Sequence, residues 1–198
     1  MKSDRSRRAG APVAGSVRIV GGRWRGSKLP VPDLAGLRPS SDRVRETLFN
    51  WLMPKLQGAR VLDAFAGSGA LGFEAVSRGA AHAVLIERDN AAARSLRESL
   101  ARLHAQDSVS VVAGDAFEWL AGEHPQSFDL VFLDPPFGLD AWARAIDAVQ
   151  PHLAADAWIY LESPASVIPA VPDDWRLHRE GGTREVRSAL YRRAGAGR

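Results

Sequence analysis

Residues 130–133, Leu-Val-Phe-Leu, are apolar at every position, a pattern that a strand with one face in water does not carry. A strand hidden on both faces belongs to a mostly parallel sheet, and such a sheet needs helices on both sides. The chain beyond Gly58 follows this plan. β-prone runs at 60–64, 83–86, 109–112, 128–133 and 158–161 alternate with helix-patterned segments, among them 70–78, the segment capped by Asn90, and 141–149. Two further runs, 175–179 and 185–192, are joined through Gly181-Gly182 and read as a terminal hairpin. The expected fold class is α/β.

The buried run stops at Asp134-Pro135-Pro136-Phe137. A residue before proline is pushed to extended geometry, and neither proline has an N–H to donate. The result is a stiff acceptor corner. The Asp134 carboxylate and the Pro135 carbonyl can take two hydrogens from one exocyclic amine, and Phe137 offers a flat face for a base. The competing reading is a plain loop in which Asp134 caps a neighbour and Pro135 and Pro136 merely end the strand.

Other carboxylates stand in equivalent places. Asp63, Glu87, Asp115 and Asp134 close four successive strands, so they line one edge of one sheet, the edge where open α/β folds bind ligands. Between Asp63 and the next helix lies Phe65-Ala66-Gly67-Ser68-Gly69, in which Gly67 and Gly69 permit a tight turn close to a ligand. Gly79 is the expected stop of that helix. Glu87 can accept ribose hydroxyls, Asp115 the amino group of an adenine, and Ala116 can donate its backbone N–H. Each acid alone also reads as a helix cap. A fifth strand, 158–161, ends at Glu162.

Gly67-x-Gly69-x-x-Gly72 formally fits a dinucleotide fingerprint, which keeps an NAD-linked dehydrogenase in competition. Against it, a pyrophosphate gains nothing from Asp63 beside it, and His82 and His104 stand away from the strand ends. S-adenosyl-L-methionine, with its ammonium and sulfonium, does suit Asp63.

The chain has 198 residues, 45% of them hydrophobic and 25% charged, which is enough for one domain with a substantial core. Zero cysteines exclude disulfides, thiolate zinc and a cysteine nucleophile, and five scattered histidines suggest no metal. No signal-peptide core and no apolar run of ~18 residues is visible, so no membrane and a cytoplasmic location are expected. Charge is uneven: residues 1–45 carry eleven Lys or Arg against three Asp, the remainder fifteen against twenty acids. A basic head on an acidic body suits a polyanion, with RNA the leading partner.

Within the head, residues 1–16 lack apolar pattern and are expected to form a flexible basic tail. Residues 17–29, VRIVGGRWRGSKL, read as a hairpin with Arg23, Arg25 and Lys28 available to phosphates and Trp24 packed inward. A helix capped at Ser41 or Asp42 follows, with Val44, Leu48, Trp51 and Leu52 as its apolar stripe and Pro54 as its end. Arg43 and Arg45 lie off that stripe and are candidate contacts to RNA. The expected division is 1–16 tail, 17–56 hairpin and helix extension, and 57–194 catalytic domain.

RIVGGRWRGSKLPVP, LRPSSDRVRETLFNWL, VLDAFAGSGALGFEA, GDAF and DPPF, in this order, resemble the RsmD family, bacterial methyltransferases of a guanine N2 in 16S ribosomal RNA. The resemblance spans residues 17–193. It implies a class I methyltransferase fold, Rossmann-like, with seven strands and the last antiparallel. It further implies S-adenosyl-L-methionine as cofactor, with its methionine part on Gly67 and Gly69. The target amine would lie at Asp134 to Phe137, and the small ribosomal subunit would be the partner. Apart from the resemblance, a monomer is expected. From the residues alone, a DNA adenine methyltransferase and a noncatalytic RNA-binding factor stay open, and Arg184, Arg187, Arg192 and Arg193 read equally as phosphate contacts or as protection of a sheet edge.

Overall fold

The computed structural model describes residues 15–31, 42–124, 127–135 and 141–195. Residues 1–14 of the expected tail, together with Ser41, Pro136 and Phe137, lie outside them, whereas Gly15 and Ser16, also assigned to the tail, are in a strand because they pair with Val31 and Pro30. Two short strands, β1 (Gly15–Arg18) and β2 (Lys28–Val31), pair antiparallel and lead to α1 (Asp42–Leu56). There follow β3 (Arg60–Asp63), α2 (Ala70–Ser77), β4 (His82–Glu87), α3 (Asn90–Arg102), β5 (Val109–Ala113), α4 (Ala116–Leu120), β6 (Phe128–Leu133) and α5 (Ala141–Val149). The chain closes with β7 (Leu153–Pro164), β8 (Trp175–Gly182) and β9 (Val186–Arg193).

Strands β3 to β9 form one seven-stranded sheet in the order β5-β4-β3-β6-β7-β9-β8, with β9 antiparallel to both its neighbours. The strand order reverses between β3 and β6, which makes the carboxyl ends of these two strands the walls of the crevice where such sheets take ligands. Alternation along each strand divides the core in two. Val61, Leu85, Leu130, Phe132, Tyr160 and Leu190 face α1, α2, α3 and the small hairpin. Their chain neighbours Leu62, Ile86, Val131, Leu133, Leu161 and Tyr191 face α4 and α5. The uninterrupted apolar run of β6 is therefore buried on both faces, as its sequence requires.

The β1–β2 hairpin is fixed to the C-terminal end of α2. Backbone N–H groups of Arg23 and Trp24 donate to Ser77 O and Ser77 Oγ, the Ser77 hydroxyl donates to Gly21 O, and Val20 N–H donates to Glu74 Oε2. Gly22 makes this approach possible: its φ is +77°, and a Cβ there would stand 1.9 Å from Ser77 O. Trp24 packs inward, edge-on against Phe73 with ring centroids 6.3 Å apart.

Two expectations about helices need correction. α1 runs through Pro54 to Leu56, because a proline near a helix end removes only one N–H. Its buried face is Arg45, Leu48, Phe49, Leu52 and Leu56, so the true stripe is rotated from the expected one and contains Arg45. The cap of α3 is Asp89, not Asn90: Asp89 is extended and its Oδ1 accepts from the N–H of Ala91 and Ala92 at 2.8 and 2.9 Å.

Candidate active site

The turn after β3 is held by the acids around it. Asp63 is buried, and its Oδ2 accepts the Gly72 N–H at 3.0 Å. Burial pushes its carboxyl up to about 7, with Gly72 opposing the shift and the like charge of Glu87 adding to it. Glu87 takes the Gly67 N–H on one oxygen (2.8 Å) and the Asp89 N–H on the other (2.7 Å). It thus fixes the glycine turn, a task that its strand-end position did not announce, and each oxygen keeps a second lone pair for a ribose hydroxyl. Gly67 and Gly69 have φ of +52° and +73°. A Cβ on Gly69 would meet Leu96 at 2.5 Å and Phe73 at 2.8 Å, so this glycine serves the packing of α2 as well as the turn.

Asp115 caps α4 through Oδ1, which accepts from the N–H groups of Phe117 (2.8 Å) and Glu118 (3.3 Å). Its cap role is therefore real, and Oδ2 has no bond among the described residues. Ala116 is buried as the first residue of α4. Beside it Phe117 stands edge-on to Phe65 at 5.6 Å, which makes an aromatic wall next to the glycine turn.

Across the switch point stands Asp134, directly after β6, with Pro135 buried behind it. Asp63 pairs with Phe132, and the Ala64 N–H donates to Phe132 O, so the end of β3 and the acceptor corner share one rim. The protein mass around Asp134, then the like charges of Glu162 and Asp63, raise its pKa. Its side chain is nonetheless open to water at the rim. Water reaching an exposed carboxylate offsets part of the desolvation, and the repulsion from two acids sustains the upward direction.

Glu162 stands beside Asp134, because Leu133 and Leu161 pair in parallel register and the two acids follow them. Tyr160 Oη donates to Glu162 Oε1 at 2.6 Å and shares a hydrogen bond with Ser188 Oγ at 3.1 Å, all three residues being buried. Tyr160 and Ser188 are also part of the lining of a pocket of about 380 Å³. Its other walls are Arg43, Val44, Thr47, Leu48 and Trp51 of α1 and the Gly181-Gly182-Thr183 turn. The sequence marked Glu162 as it marked the other acids, as a carboxylate closing a strand, but β7 continues past it to Pro164 because Ser163 and Pro164 still pair with Arg187 and Val186 of β9. Tyr160, Ser188 and Thr47 carry no such signal.

The basic residues divide. Lys55, at the last turn of α1, bonds to Asp156 (2.8 Å) and lies 3.9 Å from Asp129, near the starts of β7 and β6, so the first turn of α1 points to the active rim with Arg43 exposed on it. Arg45 is corrected from RNA contact to core: it is 1% exposed, and its Nη2 donates to Asp42 Oδ1 and to Arg18 O, both at 2.6 Å. Arg23, Arg25 and Lys28 are exposed but lie at the opposite edge of the sheet, where Arg23 Nη2 donates to Ser108 Oγ (2.8 Å) just before β5. Arg187 and Arg193 pair with Glu180 and Asp174, and Arg192 lies over Trp158, which favours structural work for these three, while Arg184 is exposed. Among the described residues no group of His, Cys, Asp or Glu is placed to hold a metal, and no helix is long and apolar enough to cross a membrane.

A family model described as conserved hypothetical protein 95 matches residues 17–192. The chain is 48% identical over 187 residues to an Escherichia coli protein named ribosomal RNA small subunit methyltransferase D, covering 93% of each chain. It is 42% identical to the Haemophilus influenzae protein of the same name, over 89% of this chain and 94% of that one. The chain belongs to the RsmD family. A solved Escherichia coli chain superposes with a TM-score of 0.84 at 47% identity, covering 91% of this chain and 99% of that one. RsmD-family membership and the seven-stranded fold make this a class I methyltransferase, and its cofactor is S-adenosyl-L-methionine. The RsmD-type rim fits that cofactor: a buried acid beside the turn for an ammonium, a second carboxylate for a ribose, and a cap residue with an oxygen to spare for an adenine amine.

Proposed function

We propose that the protein methylates the exocyclic N2 of a guanine in 16S ribosomal RNA of the small subunit, in the bacterial cytoplasm. The observation that carries this reading is the placement of Asp134 and Asp63 on the two sides of one switch point, an amine acceptor facing a cofactor turn. The rRNA of the small subunit is the substrate stated in the names of the relatives, and guanine N2 comes from the family resemblance.

The cofactor supplies an electrophilic methyl on a sulfonium, a bond that breaks as the bond to N2 forms. Asp134 and the Pro135 carbonyl accept the two N2 hydrogens and hold the nitrogen in line, drawing it toward a pyramidal shape in which its lone pair is available. Positive charge then grows on N2. A carboxylate beside it stabilises the transition state more than the ground state, and its raised pKa suits it to take the proton that N2 sheds. Asp63 holds the ammonium, and Gly67 and Gly69 shape the bed of the methionine part. A base within a duplex must be flipped out to reach this corner.

The test is to incubate small subunits and their free RNA with methyl-labelled cofactor, digest the RNA and identify the labelled nucleoside. N2-methylguanosine is expected. Label in N6-methyladenosine, or RNA binding with no label transferred, overturns the reading.

A further inference from the structure

The edge strand β8 is irregular, and the irregularity decides which way its cations point. Its register with β9 shifts between Leu177 and Arg179, so an extra residue is taken up there. Residues three apart on a regular strand point to opposite faces. Here Arg176 pairs with Arg192 and Arg179 with Leu190, and these partners pair in turn with Trp158 and Tyr160 on the α1 side of the sheet. The bulge thus turns Arg176 and Arg179 to one face. Both are exposed there, and Arg192 lies over the Trp158 ring on the same face, 5.0 Å from its centroid. Glu180 pairs with Ala189 and stands on the other face, bound to Arg187 at 2.9 Å. Charge on an edge strand also guards against pairing with another chain, but either face serves that purpose.

The cationic face leads into the pocket at the active rim. Gly181 pairs with Ser188 on this face, and a Cβ on Gly181 would stand 3.1 Å from Trp51 Cη2, so the missing side chain keeps the half-buried indole within reach. Arg43 is in the wall of the same pocket. The pocket hydroxyls are engaged within the protein: Tyr160 with Glu162 and Ser188, Thr47 with Arg43 O, and Thr183 with the Val186 N–H. An indole and a guanidinium are what it offers most directly, and together they hold a base of any identity. The pocket is beside the acceptor corner: β7 lies between β6, which carries Asp134, and β9, two strand spacings or about 10 Å away. From Gly181 down to Arg176 the face runs for roughly 15 Å.

We propose that single-stranded RNA beside the target base runs over this face: the base next to the target enters the pocket against Trp51, and the phosphates that follow lie on Arg43, Arg179 and Arg176. This rests on the reading that an RNA base is methylated at Asp134, and not on that base being guanine. A ring followed by a row of cations suits a nucleic-acid strand. Leu177, the exposed apolar side chain that a protein partner would cover, pairs with Tyr191 and so belongs to the other face.

The experiment uses small subunits reconstituted with RNA in which one base at a time is removed on either side of the mapped target. At one adjacent position the missing base is expected to raise the KM of the wild-type protein roughly fivefold or more, while exchanging that base for another changes it by less than about twofold. Gly181→Val, at a backbone without the positive φ of Gly182, fills the space before Trp51. It should raise KM for intact subunits by a similar factor and be indifferent to the missing base. Joint replacement of Arg176 and Arg179 by glutamine should reduce the slope of log affinity against log salt by about 1.4 for free RNA that keeps its flanks, two phosphates at about 0.7 each, and leave RNA trimmed of its flanks unaffected. Cofactor affinity should stay within about twofold in both variants. The proposal is overturned if no missing neighbour raises the wild-type KM, if Gly181→Val loses as much again when that base is absent, or if the arginine variant binds both RNAs equally less well. A loss on subunits with none on free RNA assigns the face to a protein and overturns it too. The scan of missing bases uses the wild-type protein, so it decides even if a variant does not fold. Absence of methyl transfer to unmodified subunits overturns the underlying reading instead, and the salt slopes, which need no transfer, still judge the face.

Discussion

Asp63 and Asp134 carry the same side chain, and both have raised pKa values, but their surroundings set them different tasks. Asp63 is sealed behind Gly72 and pushed up to about 7 by burial, so near neutrality it is poised between its two states. An ammonium brought beside it favours the charged one. Cofactor affinity should therefore weaken as pH falls through 7, by at most about tenfold per unit, with proton release on binding. Stability runs the other way. In the free protein the raised pKa contributes stability that is complete below the ordinary carboxylate value of 3.8 and is lost as pH rises through 7. Titration calorimetry in buffers of different ionisation enthalpy checks the first, and melting with and without cofactor at pH 6 and 8 the second; Asp63→Asn should flatten both. Asp134, by contrast, is the proposed acceptor of the amine. Asp134→Ala should keep cofactor affinity within about twofold while methyl transfer drops by roughly 10²–10³-fold, and full transfer in this variant would remove its assigned role. At this scale the strand-end acids were legible, because a carboxylate after an apolar run needs no partner to be noticed. What was not legible was the second duty of Glu87 in tying Gly67 and Asp89, which depends on where the turn folds back.

α1 shows how an element can be read in kind and missed in phase. Its existence follows from its periodic apolar residues, but Val44 and Leu48 compete with Leu48 and Phe49 to define the stripe, and the packing against β6 decided for the second set. A rotation of that size moved Arg45 from solvent to core, where two of its nitrogens, Nε and Nη1, are buried with no hydrogen-bond partner among the described residues. Arg43, two residues before Arg45 and so on the other side of the helix, stays exposed at the rim. The two arginines should therefore separate experimentally. Arg43→Ala should weaken RNA binding and reduce the slope of log K against log salt by about one. Arg45→Met should leave that slope unchanged and alter stability only modestly, because an apolar side chain of similar length removes the unpartnered nitrogens together with the charge. Salt titrations of RNA affinity and denaturant melts measure both; a reduced slope in Arg45→Met would return that residue to the RNA interface. The long strand β7 was likewise visible only in its middle, since its first residues are half-polar and pair through an irregular register with Phe128.

At the level of the whole molecule, the basic head pointed to a polyanion, and the alternation of strands and helices pointed to the sheet; where the head sits relative to the active rim was beyond reach of either. The docking of Gly22 on Ser77 carries Arg23, Arg25 and Lys28 to the edge where the strands begin, while Asp134 and Arg43 occupy the edge where they end. If all these cations serve one RNA, the substrate must extend past the full height of the sheet, as a folded subunit RNA does and a short stem does not. Charges so far from the reacting nitrogen can lower the energy of the bound substrate and the transition state equally, but not their difference. Exchanging Arg23, Arg25 and Lys28 for glutamine should thus raise KM for the subunit several-fold at moderate salt with kcat nearly unchanged, and leave cofactor affinity as it is. The same variant assayed on a short stem bearing the target base should show little change in KM. A fall in kcat on the subunit, or an equal effect on both substrates, would mean that the hairpin acts through the fold of α2 rather than on the RNA.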